Sequence, residues 1–372
     1  MPGLCVSRPV LEAAVRQRVM ALHNVRILDG CDVLGLVWGA GRVTGVRSKY
    51  RDGNAEEQIP ADLVVDACGR GSRAPTWLEA MGYPKPEVEV VEVGMGYATR
   101  LYRREPQHLG GDVLINSVPY AKIKRGGIAI AQEGDRWIVT LAGYFGDHSP
   151  TDEAGFLEFA KSLPNPDLYE LLRTATPLTH PVPYKFPANQ RHRYERLTRF
   201  PEGFLVMGDA ICGFSPIYGQ GMTVAALEAL AQRECRAEGP ARLARRFFKR
   251  AARAVDVPWS VTVGGDSRLS DRPQLLKSRF MGWYLGRLHH AAQRDPLLAL
   301  AFMNVADLLT SPRAYSTPKW SGTCCAATCS SPSPNRHCSG PKAENSNPAG
   351  SKTIFPNEQS CVPGRRSLMH KL

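Results

Sequence analysis

The sequence predicts an α/β fold: a strand, glycine turn and helix unit beside an antiparallel sheet, with helices toward the C-terminal end. Three observations carry that expectation. The apolar run Gly203 to Met207 ends in Gly208-Asp209-Ala210, passes through a Pro/Gly-rich loop and enters an Ala/Leu-rich helix from about Thr223 to Ala237. Between Val88 and Tyr144 apolar runs follow one another with turn signals and no helical pattern between them, which argues for antiparallel pairing. After Pro240 the apolar spacing becomes helical.

In chain order, Ser7-Arg8-Pro9 opens a helix from Val10 to Leu22, with Ser7 as its cap and Pro9 in its first turn. Val10, Leu11, Ala14, Val15, Val19 and Leu22 form its apolar stripe. Strands are expected at Val25–Leu28, Asp32–Trp38 and Val43–Lys49, and Asp52-Gly53 is a hairpin turn signal. Ala61–Asp66 reads as a buried strand that runs into Ala67-Cys68-Gly69-Arg70-Gly71-Ser72-Arg73. Trp77–Gly82 is a short helix stopped by Gly82-Tyr83-Pro84.

The sheet region starts with a long strand, Val88–Tyr102, in which Gly94 and Gly96 mark bulges. Val113–Val118, Gly127–Ala131 and Trp137–Tyr144 are further strands, the last two joined at Glu133-Gly134-Asp135. Tyr97, Tyr102, Trp137, Tyr144 and Phe145 are expected in the core or lining a pocket. Asp152–Leu163 is a helix capped by Thr151, and Tyr169–Thr174 is another. His180 to Pro187 is extended but broken by prolines, which suits an edge strand or a crossover. His180 and His192 are candidate bases near a substrate, without an identifiable partner. Pro240–Ala254 is a basic amphipathic helix, and further helices are expected near Gln274–Ala292 and Pro296–Leu309. From Ser311 onward the chain is rich in Ser, Pro, Asn, Lys and Cys without apolar periodicity, so 311–372 is expected to be a disordered tail.

The Gly-Asp stretch is where chemistry concentrates. Gly208 permits a close turn, and Asp209 stands at the carboxyl end of a strand, where open α/β sheets bind ligands. Gly219 and Gly221 leave room for a flat ligand, and the following helix offers unpaired N–H donors. On these residues the chain resembles the FAD-dependent oxidoreductases of the para-hydroxybenzoate hydroxylase type, the class A flavoprotein monooxygenases. The resemblance implies that Asp209 binds the ribityl chain of FAD, beside Gly208. It also implies that Pro216, Gly219, Gln220, Gly221 and Met222 line the flavin ring, and that Arg8, at the head of the first helix, contacts the cofactor.

A second stretch matches the same pattern. The Arg-led helix, the hairpin sheet, the strand Ala61 to Ala67 and the turn Gly69-Arg70-Gly71-Ser72 follow in the family's order. Where hydroxylases carry the aspartate of an Asp-Gly pair, this chain has Cys68, closer to the small-residue turn of flavin-dependent reductases and halogenases. Cys68 is expected to be a small buried residue rather than a redox thiol. Arg70 and Arg73 are candidates to meet phosphate.

The resemblance also implies a strand, a Gly-x-Gly-x-x-Gly loop and a helix ahead of these elements. The sequence shows no such stretch; Gly39-Ala40-Gly41 sits in the hairpin zone with no helix after it. The expected organisation is therefore a partial FAD-binding domain over 1–82, a mainly antiparallel substrate domain over 83–199, the FAD-binding Gly-Asp segment over 200–238, a helical region over 239–310 and the tail. In fold class this is an FAD/NAD(P)-binding Rossmann-like domain interleaved with an antiparallel substrate sheet.

Composition narrows the partners. Of the formal charge of +12, the tail contributes eight Lys/Arg against two Asp/Glu, and Arg245-Arg246 and Lys249-Arg250 form local clusters. These suit a solvated helix face better than a nucleic-acid surface. No apolar run approaches the roughly 18–20 residues of a membrane span, and a cytoplasmic location is expected. Cys324, Cys325, Cys329, Cys338 and Cys361 crowd the tail, but their spacing fits no standard zinc motif, even with His337 nearby, so no metal is expected. The function implied is an FAD-dependent oxidoreductase, monooxygenase-like, with NADPH or NADH as donor and a hydrophobic or aromatic small molecule as substrate. A flavin-dependent reductase of the geranylgeranyl reductase type and a truncated, non-catalytic flavoprotein remnant are the alternatives.

Overall fold

The computed structural model describes residues 5–53, 55–119, 122–270, 284, 287–288, 291–292 and 295–310, all within one unit, Met1–Ala327. The expected disordered tail with its five cysteines lies outside these residues, as does most of the expected helix Gln274–Ala292.

Helix α1 spans Arg8–Met20, with the Ser7 hydroxyl accepting the Val10 N–H. Ser7 also donates to Glu133 at the hairpin of the large sheet, at 2.6 Å from its hydroxyl and 3.0 Å from its backbone N–H. No α1 residue is buried, and Val10, Leu11, Val15 and Val19 are exposed. The expected strand Val25–Leu28 does not form; Val25 instead closes a turn onto Leu22. Strands β1 (Cys31–Gly39), β2 (Arg42–Tyr50) and β3 (Glu56–Pro60) make an antiparallel sheet in that order. Strand β4 (Val64–Asp66) is shorter than its apolar run suggests, because it pairs only with the three residues of β10 (Phe204–Val206), in parallel, Val65 opposite Leu205.

After helix α2 (Ala74–Ala80) the chain builds a six-stranded antiparallel sheet. Its strands are β5 (Val88–Arg103), β6 (Leu114–Ser117), β7 (Arg125–Gln132), β8 (Arg136–Gly143), β9 (Val182–His192) and β11 (Cys212–Gly213), ordered β11-β9-β5-β8-β7-β6. The β5–β9 register shifts between Glu92 and Met95, where Gly94 has φ +48°, as a bulge at this glycine requires. Strand β9 pairs with β11 only at Gln190 and Arg191, so 182–189 run along an edge. Pro183 and Pro187 fall in that edge, where a missing N–H costs nothing.

Helices α3 (Glu153–Lys161) and α4 (Asp167–Thr174) cover one sheet face around Trp137, Leu141, Phe156 and Leu168. The cap of α3 is Asp152, not Thr151: its carboxylate accepts the Gly155 N–H at 2.7 Å and reaches further than a hydroxyl one residue earlier. Helix α5 spans Gly221–Ala237. Helix α6 spans Leu243–Leu269, well beyond the expected stop at Ala254. Pro258 lies inside α6, buried together with Val255, Trp259 and Thr262, so packing of one continuous face overrides the proline's cost of roughly 3 kcal/mol. Helix α7 (Pro296–Ala306) is capped by Asp295, which accepts the Leu297 and Leu298 N–H groups. The second core gathers Leu78, Phe204, Leu205, Val206, Phe247 and Val255 between β4/β10 and helices α2, α5 and α6. Each such fully buried side chain contributes about 1.5–3 kcal/mol. A third cluster, Val93, Met95, Tyr144, Phe186 and Leu269, ties the large sheet to the end of α6.

Candidate functional site

The parallel pair β4–β10 opens two glycine turns at the same end. Backbone hydrogen bonds from Val64 N–H to the Gly203 carbonyl and from Met207 N–H to the Asp66 carbonyl, both 2.9 Å, hold the strands level. Beyond β4, buried Asp66 accepts the Cys68 N–H at 2.9 Å and the Ser72 hydroxyl at 2.7 Å, which fixes the turn Gly69–Gly71. Beyond β10, the turn Gly208–Ala210 starts with Gly208 at φ +67°. That left-handed start aims the Gly208 N–H inward, where Glu228 of α5 accepts it at 2.6 Å.

Glu228 is fully buried, and its second oxygen has no hydrogen-bond partner among the described residues. Burial pushes its pKa up to about 7; the Gly208 N–H opposes this and the Asp209 charge adds to it. Sequence reasoning did not single out this residue, because a glutamate in an Ala/Leu-rich helix reads as solvated.

Asp209 stands between the two turns. A Cβ added to Gly69 would lie 3.9 Å from the Asp209 Cβ, and one added to Gly221 would lie 3.7 Å from Oδ1. The carboxyl is open to solvent, yet the concave surroundings desolvate it enough to raise its pKa, against the pull of Arg70 and Arg8. The Arg70 guanidinium lies over the Phe186 ring at 4.4 Å. Arg8 is exposed and pairs loosely with Glu12 at 3.9 Å, within electrostatic range of both Asp209 and Tyr97. Tyr97 and Tyr184 face each other at 5.2 Å on the sheet.

The loop between β11 and α5 begins with the turn Pro216–Tyr218 and ends at Gly219 in the left-handed conformation. Pro216, Gly219 and Met222 are exposed, and a Cβ added at Gly208 or Gly219 would meet nothing within 4 Å among the described residues. Among the described residues no side chain caps α5, so its first N–H groups are without a side-chain acceptor. Gln220 is buried and its side-chain amide donates to the Ala306 carbonyl of α7 at 3.0 Å, which leaves only its main chain to the opening. The fold thus brings Asp209, Gly208, Gly221 and the N-terminus of α5 together, places Gly219 and Pro216 on the adjoining loop, and sets Arg8 at the margin.

Other expected residues fall elsewhere. Cys68 is exposed rather than buried, because it follows the strand end on the open side of the turn. Partial desolvation and the neighbouring Asp66 carboxylate push its thiol up to about 11, so it stays protonated. His180 is exposed ahead of β9. The His192 ring packs 6.0 Å from Tyr194, and burial lowers its pKa. Tyr102, Trp137 and Tyr144 are core, Tyr97 is half-buried, and Phe145 is 42% exposed. Among the described residues no helix is long and apolar enough to cross a membrane, and no group of three or more His, Cys, Asp or Glu could hold a metal ion.

No family model matches the chain. Protein Rv3254 of Mycobacterium tuberculosis (strain ATCC 25618 / H37Rv) is 32% identical over 324 residues, covering 82% of this chain and 67% of the relative. The flavin-dependent brominase Bmp2 superposes with a TM-score of 0.57 at 14% identity, covering 79% of this chain and 69% of that one. PqsL of Pseudomonas aeruginosa, described as a probable FAD-dependent monooxygenase, gives 0.52 at 17% identity, with 70% of each chain covered. The fold is therefore the mixed α/β fold of the FAD-dependent monooxygenases and halogenases.

Proposed function

The chain belongs to the family of the mycobacterial protein Rv3254, and from its fold we propose that it is an FAD-dependent oxidoreductase of the monooxygenase type. The observation that carries this reading is the Asp209 carboxylate beside the uncapped N-terminus of α5, with room before Gly208 and Gly219 among the described residues. A carboxylate next to free N–H donors suits a ligand that offers hydroxyls on a chain and carbonyl acceptors on a flat ring, as FAD does.

In this proposal Asp209 accepts hydrogen bonds from the ribityl hydroxyls. The main-chain N–H groups of Gly221 and Met222 meet the ring's acceptor edge, with Pro216, Gly219 and Gln220 forming the adjoining backbone. Arg8 and Arg70 balance negative charge at the mouth. Bound FAD would supply electron uptake from NADPH or NADH and the reaction of the reduced ring with dioxygen. Glu228 fixes the Gly208 turn and so orients Asp209. Residues 1–82 and 200–238 would form the cofactor half and 83–199 the substrate half. Tyr97 and Tyr184 form an aromatic wall, which supports a hydrophobic or aromatic small-molecule substrate.

The test is a fluorescence titration of FAD with the purified chain. Saturable quenching is expected, weakened roughly 10- to 100-fold by Asp209→Ala, the range for a lost hydrogen bond to a charged group. Absence of quenching, or equal quenching by the variant, would reject the assignment of Asp209.

A further inference from the structure

Helix α6 ends against the loop that joins β11 to α5, and one carboxylate meets the loop there. Asp266, in the last turn of α6, is 1% exposed. Its Oδ1 accepts the Tyr218 and Tyr144 hydroxyls at 3.0 and 3.3 Å, and its Oδ2 accepts the Asn189 side-chain amide at 2.6 Å. Asn189, itself fully buried, accepts the Ser215 N–H at 2.6 Å through its own Oδ1. Both ends of the Ser215–Tyr218 stretch are therefore tied to the same carboxylate, Tyr218 directly and Ser215 through Asn189.

The chemistry of this relay fixes its direction. A backbone N–H can only donate, so the Asn189 carbonyl oxygen must face Ser215 and its amide NH2 must face Asp266. An ionised carboxylate offers acceptors alone, which suits three converging donors. Burial raises the Asp266 pKa, and the three donors oppose the rise. The approach of the helix is equally specific: residue 265 is glycine, and a Cβ there would overlap the Tyr218 hydroxyl.

The anchored stretch leads straight into the candidate cofactor site. Gly219 follows Tyr218 in the left-handed conformation, with its N–H on the Pro216 carbonyl at 3.1 Å, and Gly221 opens α5. The Gln220 side chain ties the far end of the loop to Ala306 of α7. On the sheet side, Asn189 lies on β9, the strand that carries Tyr184 of the aromatic wall, and Tyr144 directly follows β8. Helix, loop and sheet thus meet at Asp266. Among the described residues its hydrogen bonds go to none of the groups proposed to meet the ring.

We propose that Asp266 is the positioning residue of this loop. Its carboxylate fixes the Ser215–Gln220 main chain relative to β9, and with it the ring-facing N–H groups relative to the aromatic wall. The inference rests on the reading of the loop as the support of the flavin ring, and it assigns no proton transfer to Asp266. Without the anchor the loop would keep its covalent ends and lose its fixed course, so the ring would be held less tightly and in a less defined setting.

The test uses the full chain, as wild type and as three variants, with two readouts. Tyr218→Phe removes one hydroxyl and leaves the packing, and Asp266→Ala removes the anchor. Asp266→Asn keeps an acceptor for Asn189 and offers two N–H groups that the tyrosine hydroxyls can accept. Amide hydrogen exchange of peptides spanning 214–222, measured without flavin, should quicken roughly tenfold in Tyr218→Phe and further in Asp266→Ala, the size of one or more hydrogen bonds to a charged group. Peptides of β6 and β7 should stay unchanged, and Asp266→Asn should recover most of the protection. With FAD, the first two variants should bind roughly tenfold or more weakly and alter the shape of the visible flavin band, a signature of the ring's setting that lost stability alone does not move. Tyr218→Phe decides the matter where Asp266→Ala does not fold. Loop exchange at the wild-type rate in either folded variant would overturn the proposal. So would a loosened loop with unchanged flavin affinity and band, because Asp266 would then be a core residue alone. A wild-type chain that binds no flavin rejects the cofactor reading instead, and the exchange result, obtained without flavin, still decides the anchoring.

Discussion

Glu228 of α5 accepts the Gly208 N–H at 2.6 Å, while its other oxygen is buried without a partner among the described residues. One helix thus holds the turn that presents Asp209 while carrying a carboxyl that burial keeps near neutrality in pKa. The fold tolerates this because the protonated acid needs less solvation than the carboxylate.

The first prediction follows from the sign of that shift. Glu228 titrates near 4.5 when unfolded and at about 7 in the fold. The folded state therefore binds the extra proton between those values, and stability from this group is full below pH 4.5 and lost as pH rises through 7. Urea unfolding across this range should show that loss, and Glu228→Gln, which keeps an acceptor for Gly208 without a charge, should flatten it. Glu228→Ala should cost about 1–3 kcal/mol, because the Gly208 N–H is left unsatisfied. An unchanged slope in Glu228→Gln would mean that the carboxyl is not the titrating group.

Asp209 has a pKa raised by its surroundings. If its carboxylate accepts from ligand hydroxyls, FAD affinity should hold at neutral pH and fall as pH drops through a value above the ordinary aspartate range. Asp209→Asn should remove that fall while lowering affinity throughout. Titrations between pH 4 and 8, within the range where circular dichroism shows the chain folded, check this.

Gly265 packs against the Tyr218 hydroxyl so closely that an added Cβ would lie 2.0 Å from it. Gly265→Ala should expel Tyr218 from Asp266 and destabilise the fold by about 1–3 kcal/mol. The double variant with Tyr218→Leu should be less damaged than the two single effects added together, because the clash is then absent. Simple additivity in urea unfolding would show that the two residues do not meet.

Cys68 is exposed, but its thiol is raised to about 11. Iodoacetamide should label it slowly at pH 8 and faster only as pH approaches 11, as read by peptide mass mapping. Rapid labelling at pH 7 would mark it as a reactive thiolate instead.

Much of the fold was legible because the sheet strands alternate and their turns carry glycine and aspartate, as in β7–β8 across Gly134. Strand β3 was missed because Glu56-Glu57-Gln58-Ile59-Pro60 offers one apolar aliphatic residue and depends on β2 for its form. Pro258 signalled a break that the buried face of α6 overrode. In the site, the glycine turns and Asp209 could be read from local sequence. Glu228 and Asp266 could not, because each is a charged residue in a helical pattern. Only long-range packing buries them, against Gly208 in one case and against Tyr144, Asn189 and Tyr218 in the other.

The central claim is that the opening around Asp209 holds FAD. The most direct measurement is the visible absorption spectrum of the purified, folded chain after incubation with FAD and gel filtration. A flavin band that co-elutes with the protein, and is lost in Asp209→Ala, is the predicted result. A folded protein that elutes without flavin would contradict the account.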